Sequence, residues 1–112
     1  MSYKDLTVWN KSMQLAVEIY EITKKFPKSE IYGLSSQMRR CSVSIPSNIA
    51  EGSRRKGKDV KHFLRISYGS GSELETQVEL SKKLGLVSNK DCKHLDSLVD
   101  EVMKMLNVMI NK

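Results

Sequence analysis

A chain of 112 residues, 39% hydrophobic and 29% charged, is bounded to one globular domain over 1–112, large enough to close a single core without disulfides or metal. It has no apolar run near the roughly 20 residues that a membrane span requires, so no membrane is expected among its partners. A net charge of +6 and a pI of about 9.4 favour an acidic partner, without choosing between nucleic acid, anionic lipid and acidic protein.

The excess charge is uneven. Residues 1–57 hold ten Lys/Arg against five Asp/Glu, and residues 58–112 hold nine against eight. The start, Met1-Ser-Tyr-Lys-Asp5, lacks the apolar stretch of a signal peptide, and Cys41 and Cys92 read as reduced thiols, so a cytoplasmic location is expected.

Four helices are predicted. The first spans about Val8–Phe26, with Lys24 and Lys25 suiting its C-terminal dipole and Pro27 stopping it. At about 100° per residue it carries two apolar stripes. One is Trp9, Met13, Ala16, Val17 and Tyr20; the other is Val8, Leu15, Ile19, Ile22 and Phe26. The second helix spans about Leu34–Glu51, on the recurrence of Leu34, Met38, Cys41, Ile45 and Ile49. Pro46 interrupts it without shifting that register, at a cost of roughly 3 kcal/mol, and a kink is expected there. Ser42, Ser44, Ser47 and Asn48 are placed to satisfy the carbonyl of Ser42 that the proline frees. Gly52 reads as the C-terminal cap.

The third helix runs from about Lys58 to Leu84 and ends at Gly85. Its main face is Val60, Phe63, Leu64, Leu74 and Val78, and Ile66, Leu80 and Leu84 lie on another. Gly69 and Gly71 in mid-helix each cost roughly 1 kcal/mol against alanine, which predicts close approach of another helix. The fourth starts after Ser88, with Asp91 completing a short capping box, and runs to the chain end. The short connections favour an all-α, antiparallel up-down-up-down four-helix bundle.

A bundle helix normally carries one apolar stripe. Two stripes on each of two helices predict self-association, and the second stripes nominate Leu15, Ile19, Ile22, Ile66 and Leu80 as the contact between subunits. Arg39, Arg40, Ser44, Pro46, Ser47, Asn48, Glu51, Gly52 and Glu73 are assigned structural roles, with Asn48 and Glu51 hydrogen-bonded near the proline or across a subunit contact.

Three patterns resemble chemistry and fail their own tests. Gly52-Ser-Arg-Arg-Lys-Gly57-Lys58-Asp59 has the spacing of a phosphate-binding P-loop, but a helix precedes it and Asp59 replaces the hydroxyl residue that holds magnesium. Asp59-x-x-His62 and Asp91-x-x-His94 mimic di-iron ligands, but they start different helices roughly 30 Å apart in an antiparallel bundle. Glu73, Glu75 and Glu79 have no base–nucleophile pair beside them, and Glu79 is expected to pair with Lys83. No catalytic residues, metal or cofactor are therefore assigned, and the chain is read as a non-enzyme.

The basic loop carries a positive reading. Arg54, Arg55, Lys56 and Lys58 crowd a helix N-terminus, where backbone N–H groups favour anions. In an up-down-up-down bundle Lys4, Lys61 and Lys112 join them at one end.

A family resemblance covers nearly the whole chain. It is carried by Asp5-Leu-Thr-Val-Trp9, Phe26-Pro27, Glu30-Ile-Tyr-Gly-Leu34, Gln37-Met-Arg-Arg40, Val43-Ser-Ile-Pro-Ser-Asn-Ile-Ala-Glu-Gly52, Gly69-Ser70 and Glu73-Leu-Glu-Thr-Gln77. In these the chain resembles the four-helix-bundle proteins encoded in intervening sequences of bacterial 23S ribosomal RNA genes. It is also similar to the accessory protein of diversity-generating retroelements. The resemblance implies a ring-like homopentamer and a basic surface that engages nucleic acid or a reverse transcriptase. The function expected is thus an oligomeric bundle that binds nucleic acid, RNA ahead of DNA, through Lys4, Arg54, Arg55, Lys56, Lys58 and Lys61. The alternative is an adaptor that docks a nucleic-acid enzyme without touching the nucleic acid itself.

Overall fold

The computed structural model describes residues 2–112. Four α-helices carry most of the chain: α1 (Thr7–Thr23), α2 (Leu34–Ser53), α3 (Lys58–Lys83) and α4 (Lys93–Ile110). Short 3-10 turns at Tyr3–Asp5 and Lys28–Glu30 precede α1 and α2, and there is no strand among the described residues. Each helix packs on its chain neighbours, and α4 also packs on α1, giving a body of 43 × 25 × 20 Å.

Side-chain pairs fix the direction of each contact. Numbers rise on α2 as they fall on α3: Met38 meets Ser81, Cys41 meets Gln77, Ser44 meets Ser70 and Ile45 meets Ser67. Lys11 bridges Glu101 at 2.9 Å and Glu18 meets His94 at 2.7 Å, ordering α1 against α4 in the same opposite sense. Lys82–Asp96 at 2.8 Å and Lys61–Lys112 at 2.6 Å do so for α3 and α4.

The core lies between all four helices. Leu15 and Ile19, Ile45 and Ile49, Leu74, and Leu95, Val102 and Leu106 are buried there. This corrects the predicted subunit contact on α1. Leu15 and Ile19 have 0% exposure and Ile22 packs partly buried against the core, so this stripe closes the bundle. The other stripe turns outward, with Met13 40%, Val17 59% and Tyr20 40% exposed. Both stripes satisfy helical periodicity; the positions of α2 and α4 decide which one faces in. On α3 the second stripe does stay on the surface, Ile66 at 39% and Leu80 at 45%.

α2 continues through Pro46, which is buried within it. Four hydroxyl and amide groups knit this stretch to itself and to α3. Ser67 Oγ donates to Ile45 O at 2.9 Å, Ser44 and Ser70 share a hydrogen bond of 2.8 Å, and Asn48 Nδ2 donates to Ser44 O at 2.8 Å and to Ser44 Oγ at 3.0 Å. None of the four nearby polar side chains is bonded to Ser42 O as the sequence suggested; Ser42 Oγ turns back to Arg39 O.

Gly52 is not the cap of α2. It is buried inside the helix, and a Cβ there would sit 3.1 Å from Phe63 Cβ and 3.3 Å from Val60 O, so its bare face lets the start of α3 approach. Gly71 serves the same purpose against α4, where a Cβ would collide with Met103 Sδ. Gly69 faces open space and has no such role within the bundle. At the end of α3, Gly85 adopts φ +76°. Leu86 N–H then bonds Ser81 O, and Gly85 N–H bonds Lys82 O, the paired arrangement that satisfies a helix's last carbonyls. α4 begins later than the sequence suggested: Ser88 Oγ accepts from Asp91 N–H in a turn ahead of the helix.

Two sets of substitutions separate these roles. Gly71→Leu is expected to destabilise the fold by about 1–3 kcal/mol through overpacking. Gly69→Ala is expected to stabilise it by up to about 1 kcal/mol through helix propensity. In the same urea titrations Leu15→Ala should cost about 2–5 kcal/mol, whereas Leu84→Ala, on a side chain 59% exposed, should change stability by no more than about 0.5 kcal/mol.

Candidate nucleic-acid interface

The loop between α2 and α3 is short because Gly57 takes φ +66°, a left-handed conformation that glycine adopts without strain. It places Arg54, Arg55, Lys56 and Lys58 on a tight turn, all exposed. The Arg54 guanidinium lies 5.4 Å from the Tyr3 ring centre, and Tyr3 meets Trp9 edge-on at 5.3 Å. That stack ties the N-terminal turn, and Lys4 with it, to the end of α2. Ser2 and Asp5 close a reciprocal cap on the same turn, and Asn10 Nδ2 donates to Lys4 O at 2.9 Å. Lys61 Nζ donates to Lys112 O, which brings the last residue to the same end.

The cations are not equivalent. Arg55 pairs with Glu51 at 2.6 Å and lies over the Phe63 ring at 5.2 Å, so its charge is partly spent inside the molecule. Lys4, Arg54, Lys56 and Lys58 make no salt bridge among the described residues. Asp5, Glu51 and Asp59 share this end with seven basic residues, so it stays net positive.

A second basic surface escaped the sequence reading. Between the C-terminal half of α1 and the N-terminal half of α2 lies a groove of about 730 Å³. Its rim carries Lys24, Lys28, Arg39 and Arg40, and its apolar lining includes Phe26, Ile31 and Val43. Arg39 is held in place there: Nε donates to Thr23 Oγ1 at 2.8 Å and the guanidinium lies 4.6 Å from the Tyr20 ring centre. Arg40 is exposed. The signal was the recurrence of cations at both ends of the α1–α2 connection, which an antiparallel turn brings together.

Glu73 accepts from Cys41 Sγ at 3.5 Å, and Ser47 is exposed. Glu79 pairs with Lys82 at 3.0 Å, not with the predicted Lys83. Burial pushes the thiols of Cys41 and Cys92 above their ordinary range, which keeps both protonated and weakly nucleophilic at neutral pH. His62 packs edge-on against Phe63 and His94 meets Glu18. Among the described residues no three His, Cys, Asp or Glu side chains converge as metal ligands, and no helix is long and apolar enough to cross a membrane.

Comparison with known proteins agrees with this architecture. The family described as 23S rRNA-intervening sequence protein matches residues 4–108. A solved structure from Bacteroides thetaiotaomicron VPI-5482, a protein with unknown function from the S23 ribosomal protein family, superposes with a TM-score of 0.84. The match covers 95% of this chain and 100% of that one at 24% identity, a likeness that carries the fold. No curated protein matches significantly. With the family's pattern running from Lys4 to Val108 across all four helices, the chain belongs to the 23S rRNA-intervening sequence protein family.

Proposed function

We propose that this protein is a non-enzymatic nucleic-acid-binding bundle whose basic end, built from the N-terminal turn, the α2–α3 loop and the end of α4, contacts phosphates. The observation that carries the reading is the grouping of Lys4, Arg54, Lys56 and Lys58 at one end with no salt bridge among the described residues. Neutralising phosphates with such cations releases counterions, which supplies affinity without base readout. The aromatics beside the loop are already engaged, Tyr3 against Arg54 and Trp9 and Phe63 against Arg55 and His62, so base stacking contributes little and sequence preference is weak. A-form RNA, recognised through its backbone and shape, suits this surface as well as a single strand does. Assembly of several copies would multiply the charge and raise the local potential.

The test is affinity for RNA and DNA across a salt series. Each phosphate contact contributes about 0.7–0.9 to the slope of log K against log salt. Replacing Arg54, Lys56 and Lys58 together with alanine is expected to lower that slope by roughly 2–3 and to weaken binding to unrelated sequences alike. Arg55→Ala should change the slope less, because Arg55 is already paired with Glu51. Wild-type protein that binds neither nucleic acid at low salt would reject this reading in favour of a protein adaptor.

A further inference from the structure

The α1–α2 groove combines carbon and positive charge in a way that the basic end does not. Its lining includes the buried Phe26 and, at 52% and 42% exposure, Ile31 and Val43. Its cations come from both walls, Lys24 and Lys28 from the end of α1 and the turn after it, Arg39 and Arg40 from α2. Among the described residues no Asp or Glu lines the groove. Lys28, Arg39 and Arg40 make no salt bridge among those residues, and Lys24 pairs with the exposed Glu21 at 3.1 Å. Arg39 is fixed in advance of any ligand. Its Nε donates to Thr23 Oγ1 and its Nη2 to Tyr20 O at 3.5 Å, and Thr23 Oγ1 is itself anchored on Ile19 O at 2.7 Å. The turn leading into α2 is tied as well: Glu30 Oε1 accepts from Leu34 N–H at 3.3 Å, and Gly33 N–H bonds Glu30 O at 3.1 Å. That turn carries Tyr32, 96% exposed, next to Ile31.

We infer that this groove docks an acidic amphipathic helix of a protein partner. The stretch of α2 that lines it, residues 35–43, rises roughly 12 Å, a little over two turns. Positions i, i+3, i+4 and i+7 of an incoming helix cover about 10.5 Å, so one apolar stripe matches the groove in length. The two walls are helices whose backbone groups are already paired within them, and no strand edge exists among the described residues. An extended peptide would find no ladder to join here, whereas a helix brings its own backbone bonds. Carboxylates flanking the stripe would meet cations on both walls, with no carboxylate in the lining to repel them. Charges spread along two walls suit several carboxylates at helical spacing better than a single anionic headgroup. The aliphatic lining separates this partner from nucleic acid, because phosphates bury no carbon and the Tyr20 ring already has Arg39 over it at 4.6 Å. Tyrosine and arginine are the side chains that most often anchor protein contacts, and holding them in place beforehand lowers the ordering cost of binding. None of the residues at the basic end takes part, so this contact stands independently of the nucleic-acid reading.

The probe is a fluorescein-labelled peptide of glutamate, leucine and alanine, about four helical turns long, with leucines at i, i+3, i+4 and i+7 and glutamates beside them. Fluorescence anisotropy against the full chain reads its affinity. A Kd in the micromolar range is expected, weakened about tenfold or more by scrambling the leucine stripe and, separately, by replacing the glutamates with glutamine. Arg40→Glu and Val43→Asp should each weaken binding by a similar factor with unchanged helical circular dichroism, since both side chains are exposed. Lys28→Glu, also exposed, repeats the test should either variant misfold. Wild type that ignores the peptide overturns the docking site, as does a scrambled peptide that binds equally well or binding that survives all three substitutions. Binding lost instead with the Arg54, Lys56 and Lys58 alanine variant places the peptide on the basic end and overturns the groove. Single-stranded polyuridylate that displaces the peptide, and loses affinity with both Arg40→Glu and Val43→Asp, makes the groove a nucleic-acid site. A wild type that ignores the peptide while light scattering shows an assembly broken by Val43→Asp makes a second copy the occupant; either result rejects the acidic helix.

Discussion

The seam between α2 and α3 is the contact on which the rest of the molecule depends. A proline inside a helix removes one backbone hydrogen bond and crowds the preceding turn, at roughly 3 kcal/mol. α2 nevertheless runs unbroken through Pro46. It does so against a partner of small, hydroxyl-bearing residues. Ser67 reaches the carbonyl next to the proline, Ser70 meets Ser44, and Gly52 lets Phe63 and Val60 close in. A buried polar group without a partner costs about 1–3 kcal/mol, so the serines of this seam are useful only because each finds one. Gln77 Oε1, at the edge of the same seam, is a buried side-chain oxygen without a hydrogen bond. The seam also fixes where α3 starts, and so where the basic loop sits.

Antiparallel packing converts scattered cations into two basic surfaces. Lys4, the stretch from Arg54 to Lys61, and Lys112 are far apart in sequence, yet the N-terminal turn, the α2–α3 loop and the end of α4 meet at one end, joined by the Arg54–Tyr3 contact and the Lys61–Lys112 bond. Lys24, Lys28, Arg39 and Arg40 meet across the first connection in the same way. The two surfaces differ in what surrounds the charge. Exposed, solvated cations on a loop suit a phosphate backbone. Cations rimming an apolar groove, with one guanidinium held over an aromatic ring, suit a partner that buries carbon as well as charge. Family membership establishes the architecture that places these surfaces; what they bind follows from their own chemistry.

Much of the fold was legible in the residues themselves. The periodicity of Leu34, Met38, Cys41, Ile45 and Ile49 defined α2 despite the proline, and all five are buried. Gly85 marked the end of α3 because helix-terminating chemistry is local: a positive φ and two carbonyls to satisfy. Around the proline, Asn48 and Ser44 serve each other and α3, not the freed carbonyl of Ser42, and Glu51 pairs with Arg55 instead of bonding near the proline.

What the sequence could not decide was orientation. Both stripes of α1 have helical period, so choosing between Leu15–Ile19 and Met13–Val17–Tyr20 required knowing where α2 and α4 lie. An apolar stripe is a property of one helix, whereas burial is a property of its neighbours. The glycines divide for the same reason. Gly52 and Gly71 matter through the atoms of Phe63 and Met103, which are distant in sequence or on another helix, while Gly69 meets nothing within the bundle. The groove of Lys24 and Arg39 likewise exists only after the chain turns back on itself. Local chemistry, written residue by residue, determined the elements, their ends and the excess of positive charge. Tertiary packing decided which faces are buried and which cations become neighbours, because those depend on distances between segments that no local pattern records.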